Sequence, residues 1–421
     1  MSNNKRLLIV AYHFPPVQGS TGVTRTLSFA KYLREFNWDV TVLTVAALAY
    51  PEIRWENLAQ IPPHVQVVRA WALDTKRHLS LFGRYPWWLA SPDRWRTWYW
   101  PAVMRGMALI KNWRPDAIMS TYPIATAHQI GATLARRSHL PWVADMRDPM
   151  AQHDYPEDPR IHRAFELIEH DVFDRAGRVV VTTRGAAKLY QDRFATYPRE
   201  HVTLIPNGFD SEMFPVVTDS PPAARDWALP LNLLHSGLLY PIERDPTAFF
   251  QAVAELRDAN VLSPQTVQFN FRAAGHESTY ESQLHSLKLR DLVHFLPPIP
   301  YREALAEMQS VDALLLFQAG NCNDQIPAKL YEYLYAQKPI LGLTDAAGET
   351  ARLMSSLGSN QIANLHDKDS IKRALPIFLD NVRARDAPIP AQDRVAQFSR
   401  RNLTGALADL LDELVKSPRE R

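Results

Sequence analysis

Short apolar runs alternate with longer stretches whose apolar positions recur every three to four residues, and this rhythm fills most of the chain. In the first half RLLIVAY (6–12), DVTVLTV (39–45), VQVVRA (65–70), AIMST (117–121), PWVAD (141–145), RVVVTT (178–183) and VTLIP (202–206) read as strands. Helical spacing runs through TRTLSFAKYLREF (24–36) and through 102–112, 127–137, 160–175 and 185–194. Strands apolar at nearly every position are covered on both faces. Strand and helix in alternation therefore predict a parallel sheet with helices on either side.

Residues 216–230, VVTDSPPAARDWALP, break the rhythm and read as a linker. A second series follows, with strands at 231–237, 267–275, 293–297, 313–317 and 339–343 and helices at 246–259, 280–289 and 301–311. A further helix begins near Pro327, and the tail at 395–414 reads as one or two amphipathic helices. The expected fold class is α/β: two Rossmann-like domains with a cleft between them, ligands lying at the carboxyl ends of the strands. A length of 421 residues supports two domains, being too long for a single core.

Composition narrows the function. Net charge is +2 with 22% charged residues, which argues against nucleic acid as a partner. Cys322 is the only cysteine, so an internal disulfide is excluded and a cysteine-based metal cluster is not expected. The N-terminal apolar run is short and passes into His13, Pro15 and Pro16, so it reads as a first strand and not a signal peptide. No run of eighteen apolar residues occurs, and a cytoplasmic protein is expected.

The richest stretch is DQIPAKLYEYLYAQKP (324–339). Pro327 suits the first turn of a helix, which Leu330, Tyr331, Leu334 and Tyr335 carry on until Pro339. The N–H groups and positive dipole end of a helix start suit a phosphate. Glu332, eight residues after Asp324, can accept two hydrogen bonds from a ribose diol at that helix mouth. An ordinary surface helix can begin the same way.

Four other segments carry candidate chemistry. HFPPVQGSTGVTR (13–25) holds Gly19 and Gly22, which allow close backbone approach to a ligand, or simply serve a flexible connector. It lacks the G-x-G-x-x-G spacing of a dinucleotide site. VADMRDP (143–149) places Asp145, Arg147 and Asp148 just past a strand, as a ligand cluster or as a local salt bridge. IPNGFD (205–210) is a tight Asn-Gly turn. SGLLYPIERDP (236–246) offers Gly237 for close approach and Arg244 for a diphosphate.

Residues 71–113 hold seven of the eleven tryptophans, Trp71, Trp87, Trp88, Trp95, Trp98, Trp100 and Trp113, interleaved with Lys76, Arg77, Arg84, Arg94 and Arg96. Such a mixture suits peripheral membrane contact, an amphipathic acceptor, sugar stacking, or packing under an insertion.

In this order the segments resemble the retaining GT-B glycosyltransferases of family 4, enzymes of bacterial surface polysaccharide synthesis. The likeness covers nearly the whole chain. PWVADMRDP is similar to the W-V-A-D-F-R-D-P-W segment of one subgroup, with Met150 at its Trp. IPNGFD is similar to the N-G-x-D turn, SGLLYPIERDP to the G-R-L…K-G stretch, and DQIPAKLYE to the glutamate–seven–glutamate motif.

The resemblance implies that Glu332 holds the donor ribose and that backbone N–H groups around Pro327, Ala328 and Lys329 cradle its phosphates. Arg244 would stand in for a phosphate-binding lysine, and Gly19 and Gly22 would lie against the same phosphates. Arg147 falls where many members place a histidine near the transferred sugar, with Asp145 and Asp148 orienting that region. Two departures stand out. Asp324 replaces the first glutamate, and Leu238 occupies the position of the arginine in G-R-L.

The implied domain plan is an acceptor domain at 1–215 and a nucleotide-sugar domain at 231–394, with helices from 395–421 returning to the first. The implied reaction moves a sugar, with retention, from a nucleotide-diphosphate sugar to a glycan or lipid-linked acceptor on the inner face of the plasma membrane. No metal or other cofactor is required. The rival readings are a nucleotide-sugar 2-epimerase of the same fold and a catalytically degenerate transferase that binds an assembly partner.

Overall fold

A computed structural model describes residues 4–18, 21–153, 155–215 and 225–416. It divides into two units, Met1–Asn207 with Arg400–Arg421, and Gly208–Ser399.

The first unit holds seven strands: β1 Lys5–Ala11, β2 Trp38–Val45, β3 Gln66–Ala70, β4 Ala117–Thr121, β5 Trp142–Arg147, β6 Arg178–Val181 and β7 Val202–Leu204. They form one sheet in the order β3-β2-β1-β4-β5-β6-β7, every pair parallel. Successive side chains of a strand point to opposite faces, so the LLIV run of β1 feeds two cores at once. Leu8 and Val10 pack with Ile118, Ile130 and Phe165 on one side, while Leu7 and Ile9 meet Leu403, Leu407 and Leu411 on the other. Those last three leucines belong to the helix Arg400–Lys416, which Trp38 also holds by an Nε1–H bond of 2.9 Å to Asp412 Oδ1.

The second unit has six strands: β8 Leu231–Ser236, β9 Val267–Arg272, β10 Val293–Leu296, β11 Ala313–Phe317, β12 Ile340–Leu343 and β13 Ile362–Ala363. Their order is β10-β9-β8-β11-β12-β13, again all parallel. Each sheet has one point where the strand order reverses, between β1 and β4 in the first and between β8 and β11 in the second. In open parallel sheets, ligands bind outside the carboxyl ends of the strands at such a point.

Several local expectations shift. The first helix runs from Thr21 to Tyr32, so Gly22 lies in its opening turn and not in a loop. Gly19 lies outside the described residues, as do residues 216–224 of the expected linker. Arg225 at the end of that segment is already docked on the second unit through Asp312, 2.7 Å away. Beyond 343 the structure adds the helix Glu349–Ser356, the two-residue β13 and the helix Lys368–Ala384. The tail divides: Gln392–Ala396 stays with the second unit, its Val395 buried beside Leu330 and Leu334, and only Arg400–Lys416 joins the first. Among the described residues no helix is long and apolar enough to cross a membrane.

Candidate functional site

In the second unit the switch point is built from Gly237, just past β8, and the helix Ala328–Ala336 that follows β11. Gly237 has φ +110, where any side chain is strained. A Cβ there would also lie 3.0 Å from Lys329 Nζ, so the glycine gives the lysine its room. Ser236 N–H donates to the Tyr333 hydroxyl at 2.8 Å and fixes the end of β8 against the helix.

Pro327 is the helix N-cap (φ −59, ψ 131), one residue earlier than its expected place in the first turn. The helix therefore opens at Ala328 and Lys329, whose N–H groups head the first turn. Leu330, Tyr331, Tyr333 and Leu334 fill the core, leaving Lys329 and Glu332 less covered.

Lys329 Nζ lies 3.1 Å from Nε2 of the buried His235, whose Nδ1 lies 2.9 Å from the Leu315 carbonyl. A carbonyl only accepts, so Nδ1 carries the proton and Nε2 offers its lone pair to the ammonium. Burial, then the neighbouring Lys329, holds His235 well below the usual histidine range, and the ring stays neutral. Lys329 is itself pushed well below the usual lysine range, first by desolvation and next by Arg244, with Glu332 opposing.

Arg244 is tethered by its Nη1 to Leu238 O at 3.2 Å and stacks over Tyr240 at 5.1 Å. Glu332 accepts from the Tyr301 hydroxyl at 2.6 Å. Asp324 is exposed in the turn ahead of Pro327. Two cations and a helix start thus converge, supported by a neutral imidazole. Such a group suits an anion carrying more than one charge.

The side chain of Lys329 and the ring of His235 do not stand out in the sequence. The available signal was a histidine inside the apolar strand LNLLHSG, two residues before a glycine.

In the first unit the expected Asp145–Arg147–Asp148 cluster separates into different roles. β5 runs on to Arg147, two residues further than its sequence suggests, so Asp145 falls within the sheet. There it needs an internal partner. Arg25 supplies one with Nη2 to Oδ1 at 2.9 Å and Nε to Oδ2 at 3.1 Å, and Thr121 donates to Oδ2 at 2.9 Å. Arg25 also bonds the carbonyls of Ile205 (3.0 Å) and Pro206 (2.9 Å), tying down the segment after β7, where no turn forms at Asn207–Gly208 although the Asn-Gly pair suggests one. Asp145 is thus held in a closed, buried ion pair, the salt-bridge alternative that its segment allows.

Arg147 remains a candidate. It has φ +61 at a register shift in β5, and a long side chain in that backbone region is strained. It is buried, its Nη1 3.2 Å from Tyr122 O, and burial lowers its pKa against the pull of Asp148. Burial raises Asp148, whose Oδ1 lies 3.3 Å from the Thr182 hydroxyl. His13, the second residue past β1, is lowered to about 4 by burial and then by Arg147. Its Nδ1 has no partner among the described residues. His13 has no motif to mark it in the sequence, and its one signal is its place just past β1, beside the first sheet's switch point.

A cavity of about 350 Å³ also lies in this unit, between the helices Ala125–Ser138 and Pro159–Arg175. Arg96, Gln129 and Asp171 contribute polar groups to it, and His128 lines it.

Residues 20–208 match the family model described as a glycosyl transferase 4-like domain. Sucrose-phosphate synthase from Thermosynechococcus elongatus is similar in structure over 97% of this chain and 99% of that one, with TM-score 0.70 and 15% identity. Anabaena HepE, solved with UDP and glucose, is similar over 97% of this chain and 100% of that one, with TM-score 0.66 and 15% identity. A Listeria monocytogenes protein assigned as a UDP-N-acetylglucosamine 2-epimerase gives TM-score 0.60 at 12% identity, covering 99% of this chain and 98% of that one. The architecture is the GT-B fold. No curated protein matches the chain. The matched span contains the Arg25–Asp145 pair and the Arg147 strand end, while the Lys329 group lies outside it.

Proposed function

We propose that the protein is a retaining glycosyltransferase that moves a sugar from a nucleotide-diphosphate sugar to an acceptor hydroxyl. The observation that carries this reading is Lys329 Nζ, supported by neutral His235 under Gly237 and next to Arg244 at a helix start. In the proposed reaction the bond between the anomeric carbon and the diphosphate oxygen breaks, and negative charge grows on the leaving diphosphate. Lys329, Arg244 and the first-turn N–H groups stabilise that charge, and no metal is assigned to the task. The acceptor oxygen bonds the anomeric carbon on the face the diphosphate leaves, and its proton passes to a departing phosphate oxygen. The products are a glycoside and a nucleoside diphosphate.

Glu332, braced by Tyr301, holds the donor ribose diol in this reading, and exposed Asp324 reaches the sugar hydroxyls. Arg147, Asp148 and His13 serve the acceptor side, for which a lipid-linked or growing surface glycan, handled in the cytoplasm, is the proposed class.

Calorimetry with UDP, GDP and dTDP, followed by a transfer assay with lipid-linked sugars, tests the reading. Glu332→Ala and Arg244→Ala are expected to abolish transfer while each variant stays folded. Wild-type rates in both would sink the proposal. Donor turnover without any acceptor would turn the reading to the 2-epimerase. Absence of nucleotide binding would leave a non-catalytic partner of assembly, as Leu238 and Asp324 allow.

A further inference from the structure

The short helix Thr75–His78, N-capped by Asp74, leads into a two-residue turn. Leu81 N–H bonds Arg84 O at 2.9 Å, and Arg84 N–H bonds Leu81 O at 3.0 Å. The central residues are Phe82 with φ +51 and Gly83 with φ +75, both in the left-handed region. Turns of this kind favour Asn-Gly or Asp-Gly, because a bulky side chain is strained at the first position. Here that position holds a phenylalanine that is 95% exposed, beside Leu81 at 72%. Neither the strain nor the exposure is offset by packing within the unit. Trp87 and Trp88 follow, each more than half exposed.

This tip is firmly mounted. Thr75 Oγ1 donates to Leu89 O at 2.8 Å, Arg96 Nη1 donates to Ser91 O at 2.7 Å, and Arg160 lies 5.5 Å over the Trp87 ring. Within 71–113 its charge is one-sided, although Arg160 beside Trp87 is itself paired with Asp158 at 2.8 Å. Lys76, Arg77, Arg84 and Arg96 are exposed, whereas the only carboxylates of 71–113 serve internal bonds. Asp74 is buried in its capping role, and Asp93 accepts from Thr126 N–H at 2.8 Å and Trp95 N–H at 3.0 Å. A second copy of this face would bring cations against cations. A bilayer carrying anionic lipid complements both its charge and its apolar tip.

We infer that the Leu81–Arg84 turn is a wedge that enters the interfacial layer of an anionic membrane. Trp87 and Trp88 lie at headgroup level, and Lys76 and Arg84 meet the lipid phosphates, while Arg77 braces the mount through the Tyr50 carbonyl at 2.6 Å. The inference stands apart from the sugar-transfer reading, since binding needs no catalysis.

Co-sedimentation of the full chain with vesicles of phosphatidylcholine, alone or mixed with phosphatidylglycerol, provides the test. Wild type is expected to bind the mixed vesicles, to be released by salt, and to ignore pure phosphatidylcholine. Phe82→Asn places a turn-favoured residue at the tip, so it is expected to unfold at the same or a higher temperature. Its vesicle binding is expected to fall by about tenfold or more. Arg84→Glu lowers binding as well, whereas Phe82→Trp preserves it. Equal binding by wild type and Phe82→Asn overturns the wedge, as does salt-independent binding to pure phosphatidylcholine or no binding at all. A wild-type dimer in sedimentation that Phe82→Asn dissociates makes the tip an interface between copies and also overturns it.

Discussion

Arg25 and Lys329 are both cations drawn away from water near the carboxyl end of a strand, and they are satisfied in opposite ways. Arg25 has its counter-charge inside the fold, in Asp145, and both groups are buried. Lys329 rests on an uncharged histidine, and the next group to influence it is another cation, Arg244. A charge balanced within the protein fixes geometry. One left unbalanced beside a like charge is a seat for an incoming anion. Burial alone therefore does not mark the site; the sign of the neighbours does.

The contrast breaks most visibly at Arg25. Arg25→Met strands the Asp145 carboxylate in the core and is expected to destabilise the first unit by about 3–5 kcal/mol, read by denaturant unfolding. Lys329→Met strands no charge and leaves only the uncharged His235 Nε2 without its partner, so its unfolding free energy is expected to fall by no more than about 1 kcal/mol. Its donor binding and turnover should instead fall by about 100-fold, or about 2.7 kcal/mol. A loss of stability matching that of Arg25→Met would erase the distinction between the two cations. The same lysine gives a pH signature. Its pKa is depressed in the free protein, and a bound diphosphate favours the ammonium and raises it again. Diphosphate affinity is then expected to fall as pH rises through that depressed value, with proton uptake on binding, measurable by calorimetry in buffers of different ionisation enthalpy.

His128 sharpens the comparison at smaller scale. It is a neutral buried ring like His235, but it bonds Ser120 Oγ at 2.8 Å and supports no cation. Burial lowers it to about 4. Its folded pKa thus lies below the ordinary value, and the unfolded chain binds the proton first as pH falls below about 6.5. Wild type should therefore lose about 2 kcal/mol more stability than His128→Gln between pH 7 and pH 5. Parallel losses in the two proteins would show that the ring titrates freely in the fold.

The sheets were legible because strands covered on both faces become apolar runs, as in RLLIVAY and ALLLF. The span 344–394 was not, because β13 is only two residues long and Pro376 interrupts the pattern of the helix Lys368–Ala384. Gly237, Arg244 and Glu332 could be picked out because their signals are local: a glycine after a strand, a basic loop, a spacing along one helix. Lys329 with His235 and Arg25 with Asp145 are pairings across 94 and 120 residues, which no local window contains. The apolar run around Asp145 ends two residues before β5 does, so the sequence leaves open whether its carboxylate meets a ligand or the buried Arg25.

The helix Arg400–Lys416 has a consequence for how the protein is made. Its leucines cover Leu7 and Ile9, yet all of Gly208–Ser399 is synthesised between the two. At about 5–20 residues per second, the first sheet waits roughly 10–40 s on the ribosome with part of one apolar face uncovered, Phe29 and Leu33 shielding the rest. The second unit, continuous in sequence, can finish folding during that interval. The nascent first unit is then the natural client of a chaperone, and a stop codon before Leu403 would leave it permanently so.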